Sequence, residues 1–257
     1  MKIGLIGSGF VGSSIKNAYD LVGINVAVVD PLYSTNTIND IALACDAIFV
    51  AVPSPQSPNG ECDTSILQEV LKEIAATGYV KPIISKVTAP PRVYRELQKT
   101  YPNLVHAPEF LVAATAKEDY LNGKFAIIGG LPPYVGMAES IIKLGQTKIE
   151  QTFFCSIEEA SVVKYTINTF LATKVAFMNQ LYDFCKDQAI SFDNVSRILP
   201  VEPRLGNSHF SVPGPDGRRG FGGACFPKDT AALSFESKGI MSVLDAAISY
   251  NKVIRPE

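Results

Sequence analysis

The sequence predicts an α/β fold: a doubly wound, mostly parallel sheet over residues 1–155, then a long helix and a small all-α domain over 156–257. Three observations carry this expectation. A glycine-rich turn, Gly7-Ser8-Gly9-Phe10-Val11-Gly12, directly follows a short apolar run. Strand-like and helix-like stretches alternate from there to residue 155, the pattern of a parallel sheet with crossover helices. From Ser156 the pattern changes, and no glycine or proline occurs before Pro200.

Lys2 to Ile6 reads as a strand and Val11 to Leu21 as the helix behind it; a second apolar run, Asn25 to Val29, ends at Asp30. That order is the context a dinucleotide-binding turn requires. Gly7 makes the tight turn, Gly9 leaves room for a pyrophosphate, and Gly12 lets helix pack on strand. The helix N-terminus meets the phosphate charge. Asp30, with no arginine beside it, suits the ribose hydroxyls of NAD better than the phosphate of NADP. Asp46 to Val52 is a buried-strand pattern that runs into Pro53-Ser54-Pro55, and Ser65 to Ala76 is a helix that Asp63 or Thr64 can cap. Further strands are expected at 82–87, 104–107, 125–129 and 148–152, and helices at 91–99 and 133–144. Ligands of such sheets sit beyond the strands' carboxyl ends, where Thr88 and Glu109 fall.

Ser156-Ile157-Glu158-Glu159 has the spacing of a capping box. A helix from Ile157 to about Lys186 would run roughly 45 Å. Its apolar residues, among them Val162, Phe170, Phe177 and Leu181, occupy more than one face. That pattern predicts a subunit interface. Lys164 and Asn168 stand four apart and share a face; a lysine there either snorkels to solvent or does chemistry. A short helix is expected at 192–199 and two more at 230–237 and 243–250. Between them lies Gly220-Phe221-Gly222-Gly223-Ala224-Cys225-Phe226-Pro227-Lys228-Asp229. Pro227 suits a helix's first turn. Cys225, just ahead of that turn and near Lys228, is placed to favour thiolate. Gly222 and Gly223 open the backbone to a ligand. The same ten residues also suit a glycine-rich turn around an inert buried cysteine.

A net charge of −2 without basic runs gives nucleic-acid binding no electrostatic support. Five cysteines without a CxxC pair argue for a reducing, cytoplasmic setting over a disulfide framework. Two histidines far apart in sequence leave no zinc pattern, and no stretch is apolar enough to span a bilayer.

Taken as an ordered set, these motifs closely resemble the UDP-glucose/GDP-mannose 6-dehydrogenase family. The resemblance rests on the glycine turn with Asp30, on Ala51-Val52-Pro53-Ser54-Pro55, on Lys86-Val87-Thr88 with Pro90, and on Pro108-Glu109-Phe110-Leu111. It continues through Lys164-Tyr165, Asn168-Thr169-Phe170-Leu171-Ala172 and Arg204-Leu205-Gly206 to the cysteine segment. It implies a Rossmann-like fold and oxidation of a sugar C6 alcohol to a carboxylate by two NAD, through a thiohemiacetal and thioester on Cys225. Lys164 and Asn168 are then implied to stabilise the oxyanion, Asp229 to orient water with Lys164, Glu109 to act as hydrolytic base and Thr88 to hold the attacking water. The cofactor set implied is Gly7, Gly9, Phe10, Val11, Gly12, Asp30, Val52, Pro53, Thr88 and Lys228. The substrate set is Glu109, Phe110, Leu111, Lys164, Asn168, Arg204, Phe221, Gly222 and Gly223, with Arg204 reaching across a homodimer built on the long helix. UDP-glucose is the expected nucleotide sugar, and no metal is expected.

Two departures stand out. Where the family often has a second acid, four residues after Glu109, this chain has Ala113. It also stops about where the linker to a second Rossmann-like domain is expected, so an open or partner-completed substrate site is anticipated, with the loop 211–220 compensating. Two other readings use the same residues: a 3-hydroxyacid-type dehydrogenase making one hydride transfer, and an NAD-binding partner subunit without full activity.

Overall fold

A computed structural model describes residues 1–112 and 114–256. The chain divides into two compact units, the first comprising Met1–Pro55 and Asp63–Lys164, the second 56–62 and the chain from Tyr165 onward.

The first unit is built on a seven-stranded sheet: β1 (Ile3–Ile6), β2 (Val26–Val29), β3 (Ala47–Val50), β4 (Ile83–Ser85), β5 (Leu104–His106), β6 (Phe125–Gly129) and β7 (Gln151–Cys155). Their order is β2-β1-β3-β4-β5-β6-β7, and every pairing is parallel except β5 with β6. The helices of this unit are α1 (Phe10–Leu21), α2 (Ile38–Ala44), α3 (Ser65–Ala76), α4 (Pro91–Thr100), α5 (Ala116–Asn122) and α6 (Tyr134–Gly145). The strands alternate their side chains between two cores. Ala47 and Phe49 join Leu5, Ile15 and Tyr19 on one face, while Ile48 and Val50 join Leu67, Leu71 and Tyr94 on the other. Burial on both faces is why these strands read as continuous apolar runs. The chain turns in opposite directions from β1 and β3, which creates a crevice at their carboxyl ends.

Three details differ from expectation. The last strand is Gln151–Cys155, not 148–152, because its partner β6 pairs Phe125 with Gln151 and Gly129 with Cys155. Helices α2 and α5 are additional, each seven residues long. Thr37 and Asp40 start α2 by exchanging side-chain and backbone hydrogen bonds, a capping box with Asp in place of Glu.

Helix α7 (Ile157–Asp187) leaves the first unit and enters the second. Its expected capping box is formed: Glu159 Oε2 accepts from Ser156 N at 2.7 Å, and Ser156 Oγ accepts from Glu159 N at 3.2 Å. In the second unit, α8 (Phe192–Ile198), α9 (Phe226–Ser237) and α10 (Ser242–Ile254) complete the helices. Helix α9 starts at Phe226, earlier than the apolar pattern placed it, with Pro227 in its first turn. Met178, Cys185, Phe192 and Phe210 form one core of this unit; Ala172, Ala176, Phe221 and Ala247 form another.

Candidate active site

In the first unit the glycine turn joins β1 to α1. Gly7 has φ +89°, and a side chain there would strike Ala51 O. Gly12 has no room either, since its Cβ would collide with Gly7 O. Gly9 differs: nothing lies within 4 Å of where its Cβ would be. The N-terminus of α1 has no side-chain cap and no acid in its first turn, so its N–H groups remain available to an anion. Phe10 and Val11 form that first turn. Asp30 stands at the end of β2 and accepts from Ser8 N at 2.7 Å and Leu32 N at 2.9 Å. Val52 and Pro53 follow β3, and Ser54 Oγ donates to Thr88 O at 2.7 Å, tying the loops after β3 and β4 together. These residues fit a dinucleotide: a bare helix start, an open glycine and an acid at the neighbouring strand end.

Glu109 follows β5 and is buried with Lys164, which the first turns of α7 supply. Lys164 Nζ donates to Glu109 O at 2.5 Å and to Oε1 at 3.1 Å. Glu109 Oε2 accepts from Leu111 N at 2.8 Å. Phe110 lies under the same ammonium, 5.3 Å from ring centroid to Nζ. Glu109, Phe110 and Leu111 also line a cavity of about 140 Å³, together with Lys86 and Tyr120. Ala113, the position of the absent second acid, lies outside the described residues.

The second unit carries the cysteine. Cys225 is the N-cap residue of α9, half-buried, with its carbonyl accepting from Asp229 N at 2.9 Å. Asp229 is 1% exposed. Its Oδ2 accepts from Asn168 Nδ2 at 2.5 Å and its Oδ1 from Lys228 Nζ at 2.6 Å. The ammonium of Lys228 is therefore committed to Asp229. Gly223 takes φ +77° with open space around it, whereas the space beside Gly222 is filled by the Arg255 guanidinium. Arg255 is ion-paired with Asp216 and donates to Arg219 O at 3.3 Å. Arg219 in turn holds Asp183 at 2.7 Å and donates to Tyr250 Oη at 3.3 Å, so the loop 211–220 is anchored to α7 and α10. Phe221, Gly222 and Gly223 line a cavity of about 520 Å³ with Arg218, Asn251 and Arg255. Arg204 is exposed and forked onto Glu202 at 2.8 and 3.1 Å.

The expected site residues thus fall into two groups. The first unit brings together Lys164, Glu109 and Phe110, and separately Gly7, Asp30 and the loop of Thr88. The second brings together Asn168, Asp229, Lys228 and Cys225. Lys86 and Arg255 had no assigned part in the sequence reading. A lysine closing an apolar strand, and a lone arginine downstream of a glycine pair, were the available signals.

A profile of the UDP-glucose/GDP-mannose dehydrogenase family's NAD binding domain matches residues 31–143, and that of its central domain matches 158–253. A putative UDP-glucose 6-dehydrogenase of Bacillus subtilis (strain 168), YtcA, is 29% identical over 93% of this chain and 64% of its own. The UDP-glucose 6-dehydrogenase TuaD of the same organism is 28% identical over 98% of this chain and 63% of its own. The chain therefore spans a little under two thirds of the length of these relatives. In fold it is similar to a UDP-glucose dehydrogenase from Pyrobaculum islandicum, with a TM-score of 0.84 and 24% identity over 98% of this chain and 68% of that one.

Proposed function

The chain belongs to the UDP-glucose/GDP-mannose dehydrogenase family, and we propose that it oxidises the C6 alcohol of a nucleotide sugar, UDP-glucose, to the carboxylate. Two NAD and one water are consumed and two NADH and three protons are released per acid formed. The observation that carries this reading is Cys225 at the start of α9 with the buried Asp229–Asn168 pair one turn further on.

Gly7, Gly9, Gly12 and Asp30 would hold NAD, which would supply the hydride acceptor for each oxidation. Val52, Pro53 and Thr88 border that crevice. The remaining steps belong to the chain's own residues. The thiolate of Cys225, at the N-terminal end of α9, adds to the C6 aldehyde to give a thiohemiacetal. Loss of a second hydride converts this to a thioester, and water releases the acid and the thiol. Lys164 and Asn168 donate to the oxygen that becomes an oxyanion, an effect typically worth about 3 kcal/mol per donor. Asp229 fixes the Asn168 amide through their bond. Glu109 removes a proton from the hydrolytic water, which Thr88 holds. Phe110, Leu111, Phe221, Gly222 and Gly223 border the sugar nucleotide.

The second half of α7 exposes Phe170, Phe177 and Phe184, 68, 62 and 56% accessible and seven residues apart. That spacing lays them in one stripe, which a homodimer would cover and which would bring Arg204 to the partner's substrate. The reducing cytoplasm suits a catalytic thiol. Among the described residues no helix is long and apolar enough to cross a membrane.

The test is to incubate the protein with NAD and UDP-glucose, counting NADH and identifying the sugar product, alongside Cys225→Ser. Two NADH per UDP-glucuronate, with acid formation lost in the serine variant, is the expected result. One NADH per sugar, unaffected by the substitution, would assign a single-hydride dehydrogenase instead. Binding of NAD without turnover would assign a partner subunit.

A further inference from the structure

Lys86 ends the apolar run of β4, where its backbone N–H bonds Val50 O at 2.9 Å. The side chain is 6% exposed. Its ammonium stands 6.0 Å from the ring centroid of Phe49 and 5.9 Å from that of Tyr120. Among the described residues it makes no hydrogen bond and no ion pair. It shares the cavity of about 140 Å³ with Glu109. A cation buried this deeply without a bonded partner is costly, so its presence here calls for a use.

Glu109 offers one. Of the three donors of Lys164, two are directed at Glu109, and the proposed reaction draws Lys164 towards an oxyanion. A carboxylate whose hydrogen-bonded cation is drawn away becomes easier to protonate. Lys86, directly after β4, lines the same cavity as that carboxylate, and among the described residues no hydrogen bond ties its ammonium elsewhere. We propose that Lys86 is a positioning residue that acts through the shared cavity, keeping Glu109 ionised while Lys164 turns to the substrate. This rests on the reading of Glu109 as the hydrolytic base.

The other groups around the cavity do not substitute for it. Asp119 of α5 is held by Val112 N and Thr115 Oγ1 at 2.9 and 2.8 Å. Burial pushes the Tyr120 phenol up, and it stays neutral. Burial pulls the buried His106 of β5 down to about 3, opposed by its bond to Ser85 O, so it too is uncharged near neutrality. Burial lowers Lys86 itself to about 8, with Glu109 opposing and Lys164 adding, which leaves it an ammonium at pH 7.

The experiment compares acid formation against pH in the full-length wild type, Lys86→Met, Lys86→Gln and Lys86→Arg, with Glu109→Gln as background. The acid limb of kcat is expected to move up by about one pH unit, tenfold in rate on the acid side, in Met and Gln but not in Arg. Adding Lys86→Met to Glu109→Gln should cost nothing further. A carbon-13 titration of the Glu109 carboxyl in wild type and Lys86→Gln reads the same shift without turnover. An unmoved acid limb and unmoved titration in folded Gln protein overturn the proposal. So does an effect of Lys86→Met that persists in full on Glu109→Gln. A wild type that makes no acid overturns the base assignment instead, and the titration then still reports whether the two residues interact.

Discussion

Removing the Asp229 carboxylate tests the best-defined buried contact of the second unit. The carboxylate is almost fully enclosed and accepts from Asn168 at 2.5 Å and Lys228 at 2.6 Å. A hydrogen bond to a charged group contributes about 1.5–3 kcal/mol. The negative charge in the first turn of α9 adds roughly 0.3–1 kcal/mol by meeting the helix dipole. Asp229→Ala also leaves the Asn168 amide buried and unsatisfied, while Lys228, whose side chain is 21% exposed, can turn to water. The expected loss is about 3–5 kcal/mol, as for removing one partner of a buried pair. Asp229→Asn keeps the shape, and Asn168 can flip its amide to present oxygen, so its loss should be about half as large. The chain has ten tyrosines and no tryptophan, so urea unfolding is best followed by circular dichroism with tyrosine fluorescence as second probe. Asn168→Ala completes a double-mutant cycle, in which a coupling of about 1–3 kcal/mol is expected. A loss under about 1 kcal/mol in Asp229→Ala, or strict additivity with Asn168→Ala, would refute the reasoning.

Gly223→Ala should cost about 1–2 kcal/mol from its left-handed backbone alone; Gly222→Ala should cost more and be partly rescued by Arg255→Ala, and a cycle without rescue would contradict the filled space at Gly222. For His106, the folded state stays neutral down to about pH 3, whereas the unfolded ring protonates near 6.5. Stability from this group is therefore complete above pH 6.5 and falls by about 1.4 kcal/mol per unit as pH drops towards 3. In His106→Gln the stability-against-pH slope over that window should flatten by this amount, and an unchanged slope would be inconsistent with a buried neutral ring. Phe177→Asp should halve the mass seen by sedimentation while leaving the circular dichroism spectrum unchanged, since the side chain is largely exposed on the single chain; an unaltered mass would remove the stripe as the dimer surface.

Long or strongly periodic elements were legible because one physical signal dominated each. Strand β3 is apolar at every position and lies buried on both faces. The start of α7 was set by Ser156 and Glu159, and its length by the lack of glycine and proline. Helices α2 and α5 were not legible because seven residues carry scarcely two turns of periodicity. For α2 the only cue was the Thr37–Asp40 box. The position of β7 depends on its pairing with β6, a non-local choice that leaves Phe153 and Phe154 exposed at the sheet edge.

The candidate site was legible as a roster of residues and illegible as a set of partnerships. Lys164 with Glu109, and Asn168 with Asp229, are separated by 55 and 61 positions, and no local pattern joins residues so far apart. Yet their common logic was latent in α7. Two strongly polar residues one turn apart on a buried stretch are unfavourable unless each finds a partner. A helix selected for packing alone would carry apolar side chains at both positions. That each instead meets a buried carboxylate, one in each unit, means neither polar side chain was simply tolerated. Among the described residues Lys164 gives one donor to the Glu109 backbone carbonyl and one to its carboxylate and retains a third, and Asn168 gives one and retains a second. Donors left over after structural demands are met are what the proposed oxyanion role requires, and α7 supplies such a donor to each unit.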